Sequence, residues 1–273
     1  LLALVETVNA FVAPFQAPTG KDWAGAAAKV RAGFHPGDLI VAAPAWADPL
    51  MRQQLGDLVP MPVAGRMDAA RYARVWELSQ RGARALDTAG AHVVESFRYG
   101  ALTLKRWEKA AATVTFDFLA EWHRAEVSVL TPDHVEVPCS AAQDRFQCVG
   151  GAVLKPELLE IDTTLRNGLA VDPVERSTLV LEFPEVPLGR ELAIASGLHN
   201  VWLRKSGDGK VRLRVLVDGR ELGAVEATSQ SGWSLKTFDT AALAGKSGKV
   251  RFEITTDKAA ARHVGFAAEA RNP

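Results

Sequence analysis

Two rhythms of apolar and polar residues run along the chain. Up to about Lys109, helical and strand-like periods alternate; after about Val127 nearly every segment reads as a strand. Trp23, Ala27 and Val30 recur at i, i+4 and i+7, a spacing that puts side chains on one helical face and predicts a helix over 21–34. Thr19 with Asp22 three residues on has the form of a capping box, and His35-Pro36-Gly37 makes a stop. The continuous run Leu39-Ile40-Val41-Ala42-Ala43 has the pattern of a strand covered on both faces. Asp48-Pro49 opens a second helix to about Leu55, with the aspartate as cap and the proline in the first helical position. Further along, 59–63 reads as an edge strand because of Pro60 and Pro62, 74–78 as a strand and 80–87 as a helix. Segments 92–97 and 101–107 read as two strands around a turn near Gly100. Alternating strands and helices imply a mostly parallel sheet joined by right-handed crossovers.

The second half carries hairpin signals. Val211, Leu213, Val215 and Val217 alternate with other residues, Asp218-Gly219 follows, and 220–228 returns; Asp-Gly between alternating strands is a favoured two-residue turn. Strands are also expected at 158–161, 165–171, 178–183, 191–196, 201–204, 233–238, 250–255 and 264–270. Many short strands at this spacing imply an antiparallel sandwich. The expected fold class is therefore α/β plus all-β. A small three-layer α/β domain over 1–110 is followed by a connecting segment, 111–150, and a jelly-roll type β-sandwich over 151–273.

Composition narrows the function classes. The chain has 273 residues, 48% apolar and 23% charged, with Lys+Arg 32 balancing Asp+Glu 32. Zero net charge removes a whole-chain field for nucleic acid, so no nucleic-acid partner is expected. No window holds the roughly 20 apolar residues of a membrane span. Leu1 rather than Met stands first, and a piece of a longer chain is expected. The run Leu1-Leu2-Ala3-Leu4-Val5 has two readings, an amphipathic surface helix or the outer end of a transmembrane helix; a signal peptide is not among them, for want of a basic start and a small-residue cleavage site. Cys139 and Cys148 are the two cysteines. Their pairing suits an oxidising compartment, with free thiols the alternative; His134 alone is too little for a metal site.

Motifs for catalysis are missing. There is no Walker loop, GxGxxG, GxSxG, HExxH or EF-hand loop, and neither cofactor nor metal is expected. Asp22, Asp38 and Asp48 stand near predicted element starts. Ligands of open α/β sheets favour the carboxyl ends of strands; Asp38 precedes its strand, whereas Asp48 follows it. Seven tryptophans raise a choice between core anchors and exposed faces that stack on sugar rings. Trp46 follows the 39–43 strand, and Trp202 and Trp233 lie in the β half. Arg204, Lys205, Lys210, Arg212 and Arg214 form a basic cluster, with Arg212 and Arg214 on one strand face. It reads either as a solvated face or as a contact for acidic glycan or lipid headgroups. The candidate ligand-binding residues are Trp202, Arg204 and Trp233 in the sandwich, which is favoured, and Trp46 and Asp48 in the α/β part.

Residues 11–46 contain Pro14, Asp22-Trp23, Pro36-Gly37-Asp38 and the 39–43 strand, and 72–78 read YARVWEL. This series resembles the stretch after the last membrane helix of bacterial integral-membrane glycosyltransferases of the dolichyl-phosphate mannosyltransferase-like class. That family's catalytic acids lie near its first membrane helices, so the resemblance implies none here. The β half, with EFPEVPLGRELAIASGL, VLVDGRELG and GWSLKTFDTAALAGKSGKVRFEI, is similar to galactose-binding-like jelly-roll domains. Together the resemblances imply a non-catalytic accessory region on the periplasmic or extracellular side, tethered by the chain's own upstream transmembrane domain. Its expected partner is a glycan or lipid-linked sugar. The alternative is a carbohydrate-active hydrolase with a carboxylate cleft between the domains, which would need two carboxyl groups about 5–10 Å apart.

Overall fold

The computed structural model describes residues 17–174, 176–199, 210–258 and 263–273. The chain divides into two compact units, one of residues up to 64 with 68–112, the other of 65–67 with 113–273.

In the first unit, α1 (Gly20–Gly33) starts on the expected box: Asp22 N donates to Thr19 Oγ1 at 3.3 Å and Thr19 N to Asp22 Oδ2 at 2.8 Å. Its buried face is Trp23, Ala26, Ala27 and Val30. The turn through Gly37 delivers the chain to β1 (Leu39–Ala43), buried along its whole length. At the amino end of β1, Asp38 accepts from Trp76 Nε1 at 2.9 Å and His35 N at 3.0 Å and lies 3.3 Å from Arg74 Nη2. That set of partners gives this buried carboxylate a structural role. β2 (Arg74–Gln80), β3 (His92–Tyr99) and β4 (Leu102–Glu108) complete a four-stranded sheet in the order β1-β2-β4-β3.

Only β1 and β2 run parallel; β4 is antiparallel to both β2 and β3. The sheet is therefore mixed, where strand–helix alternation suggested a mostly parallel one. The reason is that 80–87 is not a crossover helix. Arg81 and Gly82 take φ of 55° and 72°, turning the chain back, and only Leu86–Thr88 forms a short 3₁₀ turn. Glu77, fully buried in β2, accepts from Ala85 N at 2.9 Å and fastens that turn. Likewise 59–63 is no strand. The Pro60 carbonyl accepts from Val63 N and Ala64 N at 2.9 and 3.0 Å, giving the short helix α3 (Met61–Ala64) after α2 (Asp48–Leu55). Proline's fixed φ suits a helix start as well as an edge. One sheet face packs Ile40, Ala42, Trp76, Leu78, Leu102 and Leu104 against α1 and α2. The other packs Leu39, Val41, Val75 and Trp107 against loop residues such as Ala69 and Ala85. Strand β3 is an outer strand whose pairing slips between Val93 and Glu95, leaving Val93 and Val94 both exposed.

The second unit is an antiparallel β-sandwich. Its first sheet uses β8 (Ser140–Ala141), β9 (Phe146–Gln147), β10 (Val153–Ile161), β11 (Thr164–Val171), β13 (Glu191–Leu198), β16 (Ser234–Asp239) and β18 (Val264–Asn272). Their order is β16-β13-β18-β11-β10-β9-β8, with β5 (Thr113–Asp117) also on β18. The second sheet uses β6 (Glu126–Leu130), β7 (Glu136–Pro138), β12 (Thr178–Pro187), β14 (Val211–Val217), β15 (Arg220–Ala227) and β17 (Ser247–Thr256), ordered β15-β14-β17-β12-β6-β7. The 111–150 segment, expected as a connector, supplies strands to both sheets. Between the sheets lies one core centred on Phe118, whose ring is 4.8, 4.9 and 5.0 Å from those of Phe116, Phe183 and Phe252, edge to face. Such pairs each add about 0.5–1.5 kcal/mol beyond area burial. The Asp218-Gly219 hairpin forms as the sequence predicts. Its φ values of 49° and 78° are the positive pair a type I′ turn requires, and glycine supplies the second without strain. Cys139 and Cys148 form a disulfide that closes the β8–β9 loop.

Candidate ligand-binding site

The predicted site residues separate into three groups. Trp202 and Arg204 lie outside the described residues. Trp233 is half-buried: its Nε1 donates to the Thr164 carbonyl at 3.0 Å, and the Arg166 guanidinium stands 5.5 Å from its ring. The ring lies over a floor of small residues on β13 and β18, Ala193, Ala195 and Ala267, together with Met67. Gly265 leaves room for it, since a Cβ there would stand 3.1 Å from the Trp233 ring and 2.3 Å from Leu159. The basic cluster is neutralised wherever it is described. Lys210 bonds Glu226 at 2.9 Å, Arg212 lies 4.0 Å from Glu221, and Arg214 reaches Glu221 at 2.9 Å and Glu253 at 3.0 Å. Arg212 and Arg214 share a face, as alternation predicts, but that face is a lattice of alternating charges.

Trp46 is different. From Ala43 the chain passes through a cis bond to Pro44, a 3₁₀ turn over Ala45–Ala47, and α2. Ala47, Met51 and Leu55 recur at i, i+4 and i+8 and are wholly buried. They fix the rotation of the turn and leave Trp46 and Leu50 on one flank, 61% and 39% exposed. Pro49 and Gln53 continue that flank as exposed residues, so the stripe from Trp46 to Gln53 is about 10 Å long at 1.5 Å per residue. Among the described residues Trp46 is the only aromatic side chain that stands exposed. The stripe therefore offers an indole face, two aliphatic surfaces and the planar amide of Gln53.

Asp48 falls on the other flank of the buried stripe and does not join Trp46. Nor does it cap α2: Ala47 holds the cap position without a side-chain bond, and Asp48 is the first helical residue. Its carboxylate accepts instead from Arg52 Nε at 2.5 Å, and Arg52 also donates to the Val59 carbonyl at 3.3 Å. A carboxylate one turn from a basic residue finds a stronger, charged partner than a backbone amide. Sequence reasoning paired Trp46 with Asp48 because both follow β1; the stripe of Ala47, Met51 and Leu55, already present in the sequence, carried the information that separates them. Leu50 and Gln53 were missed for the same reason.

Among the described residues no group of three or more His, Cys, Asp or Glu could hold a metal ion, and no helix is long and apolar enough to cross a membrane. No family model and no curated protein matches the chain. Several solved structures resemble it. The CBM51-2 and INT domains of ZmpB from Clostridium perfringens, in complex with GlcNAc, are 13% identical with a TM-score of 0.33, over 70% of this chain and 43% of that one. The CBM51 of a Clostridium perfringens GH95 protein, in complex with methyl-galactose, is 9% identical with a TM-score of 0.27, over 53% of this chain and 79% of its own. The xylan-binding module CBM15 is 9% identical with a TM-score of 0.25, over 54% and 87%. This chain thus spans less than half of the first of these. At such scores the similarity carries no argument about ligand or site.

Proposed function

We propose that this chain is a non-catalytic, carbohydrate-binding accessory region working outside the cytoplasm, with the Trp46 stripe as its sugar contact. The observation that carries the reading is Trp46 itself: an indole 61% exposed at the carboxyl end of a buried strand. An exposed ring of this size has no packing reason to be there. The C–H face of a pyranose covers it well, while Gln53 is placed along the stripe to bond hydroxyls. The Cys139–Cys148 disulfide supports an exported location. The resemblance of 11–46 and 72–78 to membrane glycosyltransferases supports a tether to an upstream transmembrane domain and a lipid-linked sugar as the bound species.

The test is glycan binding by the chain and by Trp46→Ala on a broad saccharide array, followed by calorimetry on the hits. A drop of about tenfold or more in affinity, about 1.4 kcal/mol, is expected for the variant. Absence of binding by the unmodified chain overturns the sugar reading, and equal binding by the variant overturns the site.

A further inference from the structure

A depression of about 440 Å³ lies on the outer face of the second sandwich sheet, lined by Glu182, Leu216, Asp218, Gly219, Lys249 and Arg251. Strand register explains why it is there. Leu216 and Glu182 both pair with Arg251, so the three form one row across β14, β17 and β12. Beyond that row β12 bulges: its pairing jumps from Phe183 opposite Val250 to Val186 opposite Gly248. A bulge bends its strand out of the ladder, which opens space beside Lys249. The hairpin turn closes the far side. Asp218 Oδ1 accepts from Lys249 N at 2.8 Å, and Asp218 N donates to Lys249 O at 2.9 Å.

The lining charges cancel. Lys249 and Arg251 stand against Glu182 and Asp218; Glu182 is bonded to both cations, while the Asp218 carboxylate accepts from the Lys249 backbone amide. Glu182 holds Lys249 Nζ at 2.7 Å with one oxygen and Arg251 Nη1 at 3.4 Å with the other, while Arg251 Nε reaches Glu253 at 3.0 Å. The hydrogen bond from Glu182 raises the Lys249 pKa above its ordinary value. Burial works against the charge on Arg251, but Glu253, Glu136 and Glu182 outweigh it and raise its pKa as well. An anion would have to displace Glu182 from both cations and would face Asp218. A metal ion would find the Glu182 oxygens and Asp218 Oδ1 occupied. What remains, among the described residues, is a mixed set: Arg251 Nη2 and the spare Lys249 protons as donors, and Asp218 Oδ2 as acceptor, around the aliphatic surface of Leu216. A hydroxyl both donates and accepts, so a set of this kind fits a neutral molecule with several hydroxyls and some C–H surface.

We infer that this depression is a second ligand site, for a neutral, hydroxyl-rich molecule of one or two sugar rings. None of its lining residues belongs to the Trp46 stripe, so the two sites are tested by different variants.

The experiment is a backbone-amide NMR titration of the ¹⁵N-labelled chain with lactose and with cellobiose, with glucose 6-phosphate as the charged comparison. Saturable shifts in the millimolar range at Asp218, Gly219 and Lys249 are expected with at least one neutral sugar, and weaker ones with the phosphate. Leu216→Lys, which fills the depression, is expected to abolish them. Asp218→Asn keeps the turn and removes the charge, and is expected to weaken binding several-fold; it serves as the reporter if Leu216→Lys does not fold. No shift with either neutral sugar overturns the inference. So does tighter binding of glucose 6-phosphate, or binding that survives both variants. Loss of glycan binding in Trp46→Ala with these shifts intact separates the fate of this site from that of the first.

Discussion

Replacing both Cys139 and Cys148 by alanine offers a quantitative check on the sandwich and on where it works. The bridge spans nine positions of sequence and ties the chain after β7 to the chain after β9. In the chain-entropy account, closing a loop of about ten residues removes unfolded-state freedom equivalent to about 2–3 kcal/mol at 25 °C. Little is added by packing. Cys148 is buried in the main core, and alanine removes one sulfur from it. The double variant is thus expected to lose about 2–3 kcal/mol, and at 2–4 °C per kcal/mol its Tm falls by about 5–10 °C. The assay is urea unfolding followed by tryptophan fluorescence, with and without reductant. The reduced unmodified chain should match the variant. Its m-value should rise, because an uncrosslinked unfolded chain exposes more surface. If reductant changes the unfolding free energy by less than about 0.5 kcal/mol and leaves m unchanged, the bridge is not constraining the unfolded chain and the stability argument fails. A chain secreted into an oxidising space would gain this increment; one kept among reduced thiols would not.

Trp46→Ala is expected to keep its melting temperature within about 1 °C, since its ring is mostly in water, and to lose sugar binding; a large fall in stability would show that the ring packs rather than recognises. Phe118→Ala removes a fully buried ring with three aromatic neighbours, and a loss of about 3–5 kcal/mol is expected by calorimetric or urea unfolding. In the first unit the Arg106 hydrogen bond holds the Glu95 carboxyl below its ordinary pKa, with Lys29 adding to the effect. A depressed carboxyl contributes its stability above the unfolded value near 4.3 and loses it as pH falls through the folded value. Glu95→Gln should therefore flatten the stability profile below about pH 4.5, by under about 1 kcal/mol given its exposure; an unchanged acid limb would refute the assignment.

Much of the fold was legible because local chemistry and tertiary packing agree. The Thr19–Asp22 box, the 39–43 run and the Asp218-Gly219 turn each need only a few neighbouring residues, and each forms. The failures came where strand partners are distant in sequence, as with β2 and β4, or where a nearby bond overrides the local pattern, as with Glu77 and Ala85 or Asp48 and Arg52. Alternation cannot tell a parallel neighbour from an antiparallel one, so of the mostly parallel sheet expected only the β1–β2 pair is parallel, while β4 runs against both of its neighbours. The 80–87 segment has helical composition, but the Glu77 side chain claims the Ala85 amide and Arg81 turns the chain. At the site, exposure is what a sequence cannot print. Trp46 and Trp233 look alike in one dimension; Gly265 and the alanines of β13 and β18 decide that the second lies against the sheet.

The slipped pairing at Val94 on strand β3 bears on what that outer edge can pair with. A regular outer strand presents an even row of amides and carbonyls that any extended peptide can read, and two adjacent exposed valines would reward such a visitor. By inserting one residue out of step, the chain breaks that row where its surface is greasiest, so that an incoming strand can match the bonds on one side of the irregularity or the other but not both. Deleting Val94 is expected to make the ladder of this outer strand regular and so to leave a better template for a visiting strand.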